Sequence, residues 1–138
     1  MKIKQLSLLL VLVIVSSVSF AQKIKIKKGN VTVDKVNTCK IEKDDVSRGA
    51  FYINNLQDEQ LLYLKWIDWG QYGYMEIYKA DNLDDILFET EVGIGYKKWI
   101  IKKLYNAKVL SSAGINEDKL NQFAKKFGRE FTRKRNRY

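Results

Sequence analysis

The sequence predicts an α+β domain, an antiparallel meander of about six or seven strands followed by two C-terminal helices packed on the sheet. Three observations carry this. Beyond position 21, apolar and polar residues alternate with period two through the first two thirds of the chain. Turn residues interrupt that stretch at short intervals, and the last third switches to a spacing of three to four.

The opening strand is carried by Ile24 and Ile26 between Lys23, Lys25 and Lys27, and Gly29-Asn30 reads as a tight hairpin turn into Val31-Thr32-Val33. After a break at 34–37, a short extended run covers 38–42, a charged loop spans 43–49, and Phe51-Tyr52-Ile53 resumes the alternation. Residues 60–69 differ, because Leu61, Tyr63, Ile67 and Trp69 occupy one face while Leu62, Leu64 and Trp66 occupy the other. A strand apolar on both faces belongs inside a sheet. Gly70-Gln71-Tyr72-Gly73 supplies a turn, 74–80 the antiparallel return, and 86–92 a final strand with Ile86, Phe88, Thr90 and Val92 on one face.

Tyr96, Trp99, Ile100, Leu104 and Ala107 then form a helical stripe opposite Lys97, Lys98, Lys102 and Lys103. The second helix has a clear start: Asn116 caps, Glu117 and Asp118 suit the positive end of the dipole, and Ile115 staples to Leu120. Its apolar face reads Leu120, Phe123, Ala124, Phe127 and Phe131, interrupted by Gly128, where the helix is expected to end or loosen.

The chain opens with a different pattern. Lys2 and Lys4, an apolar run over 8–15 and the small residues Ser19 and Ala21 read as a cleavable signal peptide, with Gln22 as the first mature residue. The expected organisation is therefore a signal over 1–21, one domain over 22–128 and a basic tail over 129–138. An apolar run this short is not expected to anchor the protein, and with glutamine rather than cysteine at position 22 no lipid anchor is expected either. Cys39 is the only cysteine, so an intramolecular disulfide is excluded, and its alternating neighbours place it in the core as a small apolar residue.

Composition excludes much chemistry. The chain has no histidine, which removes imidazole-based triads, His-ligated zinc and any side chain with an unperturbed pKa near neutrality. Gly93-Ile94-Gly95 before a helix lacks the third glycine and the Lys-Ser/Thr of phosphate loops. Asp44-Asp45 and Asp84-Asp85 lack the spacing of a calcium loop. No cofactor and no metal are expected. Asp68 and Glu76, flanking the aromatic turn, are the remaining acid/base candidates, and a carboxylate-based hydrolase would require them to converge. The prevailing expectation is a protein that is not an enzyme.

Charge points instead to binding. Of 25 basic and 16 acidic side chains, the signal takes only Lys2 and Lys4, and the last ten residues alone carry a net +4. Lys125, Lys126, Arg129, Arg133, Lys134, Arg135 and Arg137, interleaved with Phe127, Phe131 and Tyr138, form a candidate surface for an anionic envelope polymer or lipid. The alternative is that these cations complement the helix dipole and solvate a frayed terminus. The export signal disfavours nucleic acid as the partner. Trp69, Tyr72, Tyr74 and Tyr78 form a second candidate surface, for protein contact by an adaptor or structural protein, with the sheet edge open to strand addition; the competing reading buries these aromatics in a second layer.

The signal ending Phe20-Ala21-Gln22, the strand Lys23-Ile24-Lys25-Ile26-Lys27-Lys28, the strand Leu62-Tyr63-Leu64-Lys65-Trp66-Ile67 and the tail from Asn116-Glu117-Asp118-Lys119-Leu120 to Phe127-Gly128 resemble small uncharacterised exported proteins of Bacteroidota. The resemblance implies a periplasmic or secreted location and brings no catalytic residues with it.

Overall fold

The computed structural model describes residues 22–70 and 72–136. The expected signal peptide therefore lies outside the described residues. Seven strands form one antiparallel sheet in sequence order: β1 (Ile24–Lys27), β2 (Asn30–Val33), β3 (Val36–Lys43), β4 (Ala50–Asn54), β5 (Gln60–Trp69), β6 (Tyr72–Lys79) and β7 (Phe88–Thr90). Helix α1 (Tyr96–Asn106) follows, then a small hairpin of β8 (Leu110–Ser111) and β9 (Gly114–Ile115), helix α2 (Glu117–Phe127) and a five-residue helix α3 (Phe131–Arg135).

The fold is the expected meander followed by helices, and the differences are local. Lys27 pairs with Asn30, so the first turn is Lys28-Gly29 rather than Gly29-Asn30, with φ of 50° and 80°. Positive φ at both central residues is the backbone twist a two-residue hairpin needs. Gly29 serves a further purpose, since a Cβ there would sit 2.7 Å from the Ile41 carbonyl oxygen. Asp34 and Lys35 repeat the arrangement at the next hairpin, also with positive φ, and let β3 start at Val36, earlier than the alternation suggested. At the central hairpin Trp69 pairs with Tyr72, so Tyr72 and Gly73 belong to β6 rather than to the turn. The final strand is shorter than 86–92: β7 holds only Phe88, Glu89 and Thr90.

Register divides the sheet into two faces. One carries Val31, Cys39, Phe51, Ile53, Leu62, Leu64, Met75, Ile77 and Phe88, packed against Ile100, Ile101 and Leu104 of α1, Leu120 and Phe123 of α2, and Val109 and Leu110 between them. Tyr96 stacks on Trp66 at 5.8 Å, fixing the start of α1 over this face. Trp66 in turn requires Gly73, where a Cβ would lie 1.9 Å from its ring. At the start of α2 the Asn116 side chain accepts the Lys119 N–H at 3.1 Å, the cap the sequence predicts.

The chain then does something the apolar stripe does not foretell. Helix α2 stops at Phe127, and Gly128 passes so close to it that a Cβ would lie 2.4 Å from the Ala124 carbonyl oxygen. The Arg129 N–H donates to the Glu89 carbonyl at 2.8 Å, and the Thr90 hydroxyl donates to the Phe127 carbonyl at 3.2 Å. This segment thus lines the β7 edge and carries the chain to the opposite face. Phe131 does not continue the α2 stripe; it stacks on Tyr74 there, with ring centroids 4.9 Å apart.

Candidate functional site

The face opposite α1 and α2 is built by the other half of the alternation. Pairing aligns Glu42, Tyr52, Tyr63 and Tyr78 in one row across β3 to β6, Lys65, Glu76 and Glu89 in the next, and Ile67 beside Tyr74 in a third. Tyr63 lies 4.8 Å from Tyr52 and 5.8 Å from Tyr78, centroid to centroid. Its hydroxyl donates to Asp44 Oδ2 at 2.7 Å, and the Tyr78 hydroxyl donates to Glu76 Oε2 at 2.6 Å. The Tyr63 hydrogen bond, ahead of backbone donors in the turn, holds the Asp44 carboxyl below the usual carboxylate range. Burial, reinforced by their carboxylate partners, raises both tyrosine hydroxyls above the ordinary phenol value.

Of the proposed aromatic surface, Trp69 and Tyr78 stand half-buried on this face, whereas Tyr74 is completely buried. The second layer over Tyr74 is α3. Besides the Phe131 stack, the Tyr74 hydroxyl lies 3.2 Å from Thr132 Oγ1, the Thr132 N–H donates to Glu89 Oε2 at 2.8 Å, and the Arg135 guanidinium sits 5.9 Å from the Tyr74 ring centroid. The side chain of Tyr72 lies outside the described residues. Tyr52 and Tyr63, not singled out from the sequence, complete the aromatic row; cross-strand register was the missing signal.

The carboxylates expected to converge do not. Asp68 pairs with Gly73 on the helix-covered side, while Glu76 pairs with Lys65 on the other. A strand's side chains alternate, so an even step on one strand and its partner's register decide the face, and these two point apart. Glu76 meets Glu89 instead, directly across β6 and β7, and both are nearly inaccessible at 6 % and 9 % exposure. Tyr78 and the Thr132 N–H each supply one of them with a hydrogen bond. Among the described residues no cluster of three or more potential metal ligands occurs.

The basic candidates fall into two groups. Lys125 and Lys126 are exposed in the last turn of α2, where cations complement the dipole. Arg129, Arg133 and Lys134 are exposed on the segment that crosses the β7 edge. Arg133 pairs with Glu130 at 3.1 Å, and Arg135 is half-buried over Tyr74. Arg137 lies outside the described residues. Lys125, Lys126, Arg129 and Lys134 form no ion pair among the described residues.

A groove between α1 and α2 was not anticipated. Lys103, Asn106 and Ala107 line one side and Lys119, Gln122, Lys126 and Phe127 the other, over Phe123, enclosing about 380 Å³. Lys119, Gln122 and Lys126 share one side of α2 by their spacing of three and seven, a signal present in the sequence, whereas the opposing wall from α1 is set only by packing. A second, larger cleft of about 550 Å³ lies at the other end of the sheet, lined by Lys28, Lys40, Glu42, Asn54, Asp58 and Gln60 among others. Its two lysines are balanced by two carboxylates; Lys40 pairs with Asp58 at 2.9 Å, and Glu42 accepts from the Asn54 and Gln60 amides.

Comparison with protein-family models, with curated proteins and with solved structures finds no match to the chain. No helix among the described residues is long and apolar enough to cross a membrane.

Proposed function

We propose that this is an exported, non-enzymatic protein of the cell envelope that binds an anionic polymer or lipid through the basic side chains of its C-terminal segment. The observation that carries the reading is the docking of that segment. A frayed terminus would leave its cations solvated and unordered, which costs binding entropy when a partner orders them. Here α3 is held by the Phe131–Tyr74 stack and by Thr132, so Arg129 and Lys134 project from an anchored support close to Lys125 and Lys126 in the chain. Arg133 is paired with Glu130 within the segment and Arg135 lies over Tyr74 of β6, so both contribute mainly to its placement.

The test is binding to polyphosphate and to phosphatidylglycerol-containing vesicles over a salt series, comparing the wild type with a Lys125→Gln, Arg129→Gln, Lys134→Gln triple variant. Counterion release predicts steep weakening with salt and a logarithmic slope lower by roughly one per cation removed. An unchanged slope would refute the assignment. Truncation after Gly128 is the poorer experiment, because it also uncovers Tyr74.

A second reading, an adaptor contacting protein through the sheet, is favoured by one observation: Tyr52, Tyr78 and Trp69 remain half-exposed on the face that α3 covers only at Tyr74. Strand addition would have to use β1, since Phe127 and Arg129 already bond to the β7 edge. Salt-resistant capture of an envelope protein that is lost on Trp69→Ala would select this reading.

A further inference from the structure

From the groove between α1 and α2, we infer a second and discrete binding site, whose ligand is a phosphorylated sugar. It stands independently of the C-terminal segment, with which it shares only Lys126.

Three ammonium groups, from Lys103, Lys119 and Lys126, line the groove, and among the described residues no carboxylate does. None of the three forms an ion pair among the described residues. Lys103 and Lys126 converge on a single ring, at 5.3 Å and 5.4 Å from the Phe127 centroid, and Lys103 also lies 5.3 Å from that of Trp99. Two like charges drawn toward one ring repel each other, and a multivalent anion between them removes that repulsion. Lys103 and Lys119 are half-buried, so an anion in contact with them is less screened than one on an open surface.

Helix dipoles explain only part of this arrangement. Lys103 and Lys126 occupy last turns, where cations are favourable, but Lys119 sits in the first turn of α2, at the positive end. A cation there works against its own helix, and its position on the groove side supplies the compensating use.

Shape and hydrogen bonding narrow the ligand class. About 380 Å³ of half-open groove has room for one or two sugar rings. The carboxamides of Asn106 and Gln122 each offer donors and an acceptor, matching hydroxyls, while Phe123 and Phe127 provide an apolar floor. Three lysines suit the two negative charges of a phosphate monoester. A lipid headgroup and a soluble phosphosugar share this chemistry.

The decisive experiment is calorimetric titration of the mature protein at low salt with glucose 6-phosphate, inorganic phosphate and glucose. Glucose 6-phosphate should bind at least fivefold more tightly than phosphate, with glucose showing no binding. Lys103→Gln and Lys119→Gln should each weaken binding fivefold or more, whereas Lys125→Gln and Arg129→Gln should leave it unchanged. In the wild type, NMR perturbations should centre on the Asn106 and Gln122 side-chain amides and the Trp99 indole, a readout that needs no variant. Phosphatidylcholine vesicles carrying lipid A separate the sources. Vesicle binding competed by glucose 6-phosphate points to a headgroup, and phosphosugar binding without vesicle binding to a soluble ligand; both support the site. Phosphate and glucose 6-phosphate binding equally, or perturbations away from the groove, would overturn it. Loss of polyanion binding in the tail variant with the groove intact separates the fate of the two proposals.

Discussion

Asp44 accepts a hydrogen bond from Tyr63 across the loop between β3 and β4, and the consequence is a pH dependence that can be measured. A carboxyl whose folded pKa lies below its unfolded value stabilises the fold above about pH 4, and that contribution is lost as pH falls through the folded pKa. Asp44→Asn should therefore lower stability at neutral pH and flatten the acid limb below about pH 4 in denaturant titrations. Tyr63 and Tyr78 have the opposite sign of dependence. Their raised values stabilise the fold below about pH 10 and cease to do so as pH rises through the folded value, so the Tyr63 and Tyr78 phenols should ionise above the ordinary phenol range, read by NMR of their ring signals. Burial likewise pushes the Cys39 thiol up to about 12. Alkylation of Cys39 should be undetectable in the native state and rapid in denaturant. Gly73 illustrates a residue-scale requirement of another kind: Gly73→Ala drives a methyl into the Trp66 ring and should cost about 1–3 kcal/mol, read from urea midpoints.

At the scale of elements, α3 has too few residues to be stable alone and exists because Tyr74 receives Phe131. Phe131→Ala should lower global stability by about 2 kcal/mol and increase proteolysis after Gly128, whereas Lys134→Ala should do neither. Asn116→Ala should cost about 1 kcal/mol through loss of the α2 cap. The stripe of α1, the stripe and cap of α2 and the approximate places of the hairpin turns were legible because each depends on neighbours within a few residues. The one-residue error at Lys28-Gly29 has the same origin, since Lys28 adopts a positive φ that its side chain does not advertise. The exit from α2 was less legible. Phe131 fits the helical spacing of Leu120, Phe123 and Phe127, and only the crossing at Gly128 assigns it to the other side of the sheet.

For the molecule as a whole, the sheet separates two chemistries, except where α3 brings Arg133, Lys134 and Arg135 onto the tyrosine-bearing face at Tyr74. Lysines dominate the outer surface of α1 and α2, while Asp44, Glu76 and Glu89 attach to the tyrosine-bearing face. Anion binding should accordingly map to the helix side and the crossing segment, and a partner of the aromatic face should be insensitive to salt. Chemical cross-linking of a captured protein partner to Lys65, as opposed to Lys98 or Lys102, would distinguish the two surfaces. The Asp68 and Glu76 pair fails at this scale, because two residues flanking one turn were carried to opposite faces.

Sequence alone determined the class and the strand order, since alternation, turn residues and caps are properties of short segments and a meander joins neighbours in chain order. It also determined which residue types were absent, and with histidine went most acid–base chemistry near neutrality. Tertiary structure decided what lies together. The tyrosine row across β4 to β6, the burial of Tyr74 by the C-terminal segment and the lysine groove between two helices each join residues from separate elements. Such contacts depend on register and on where a chain crosses an edge, and neither is written in local spacing.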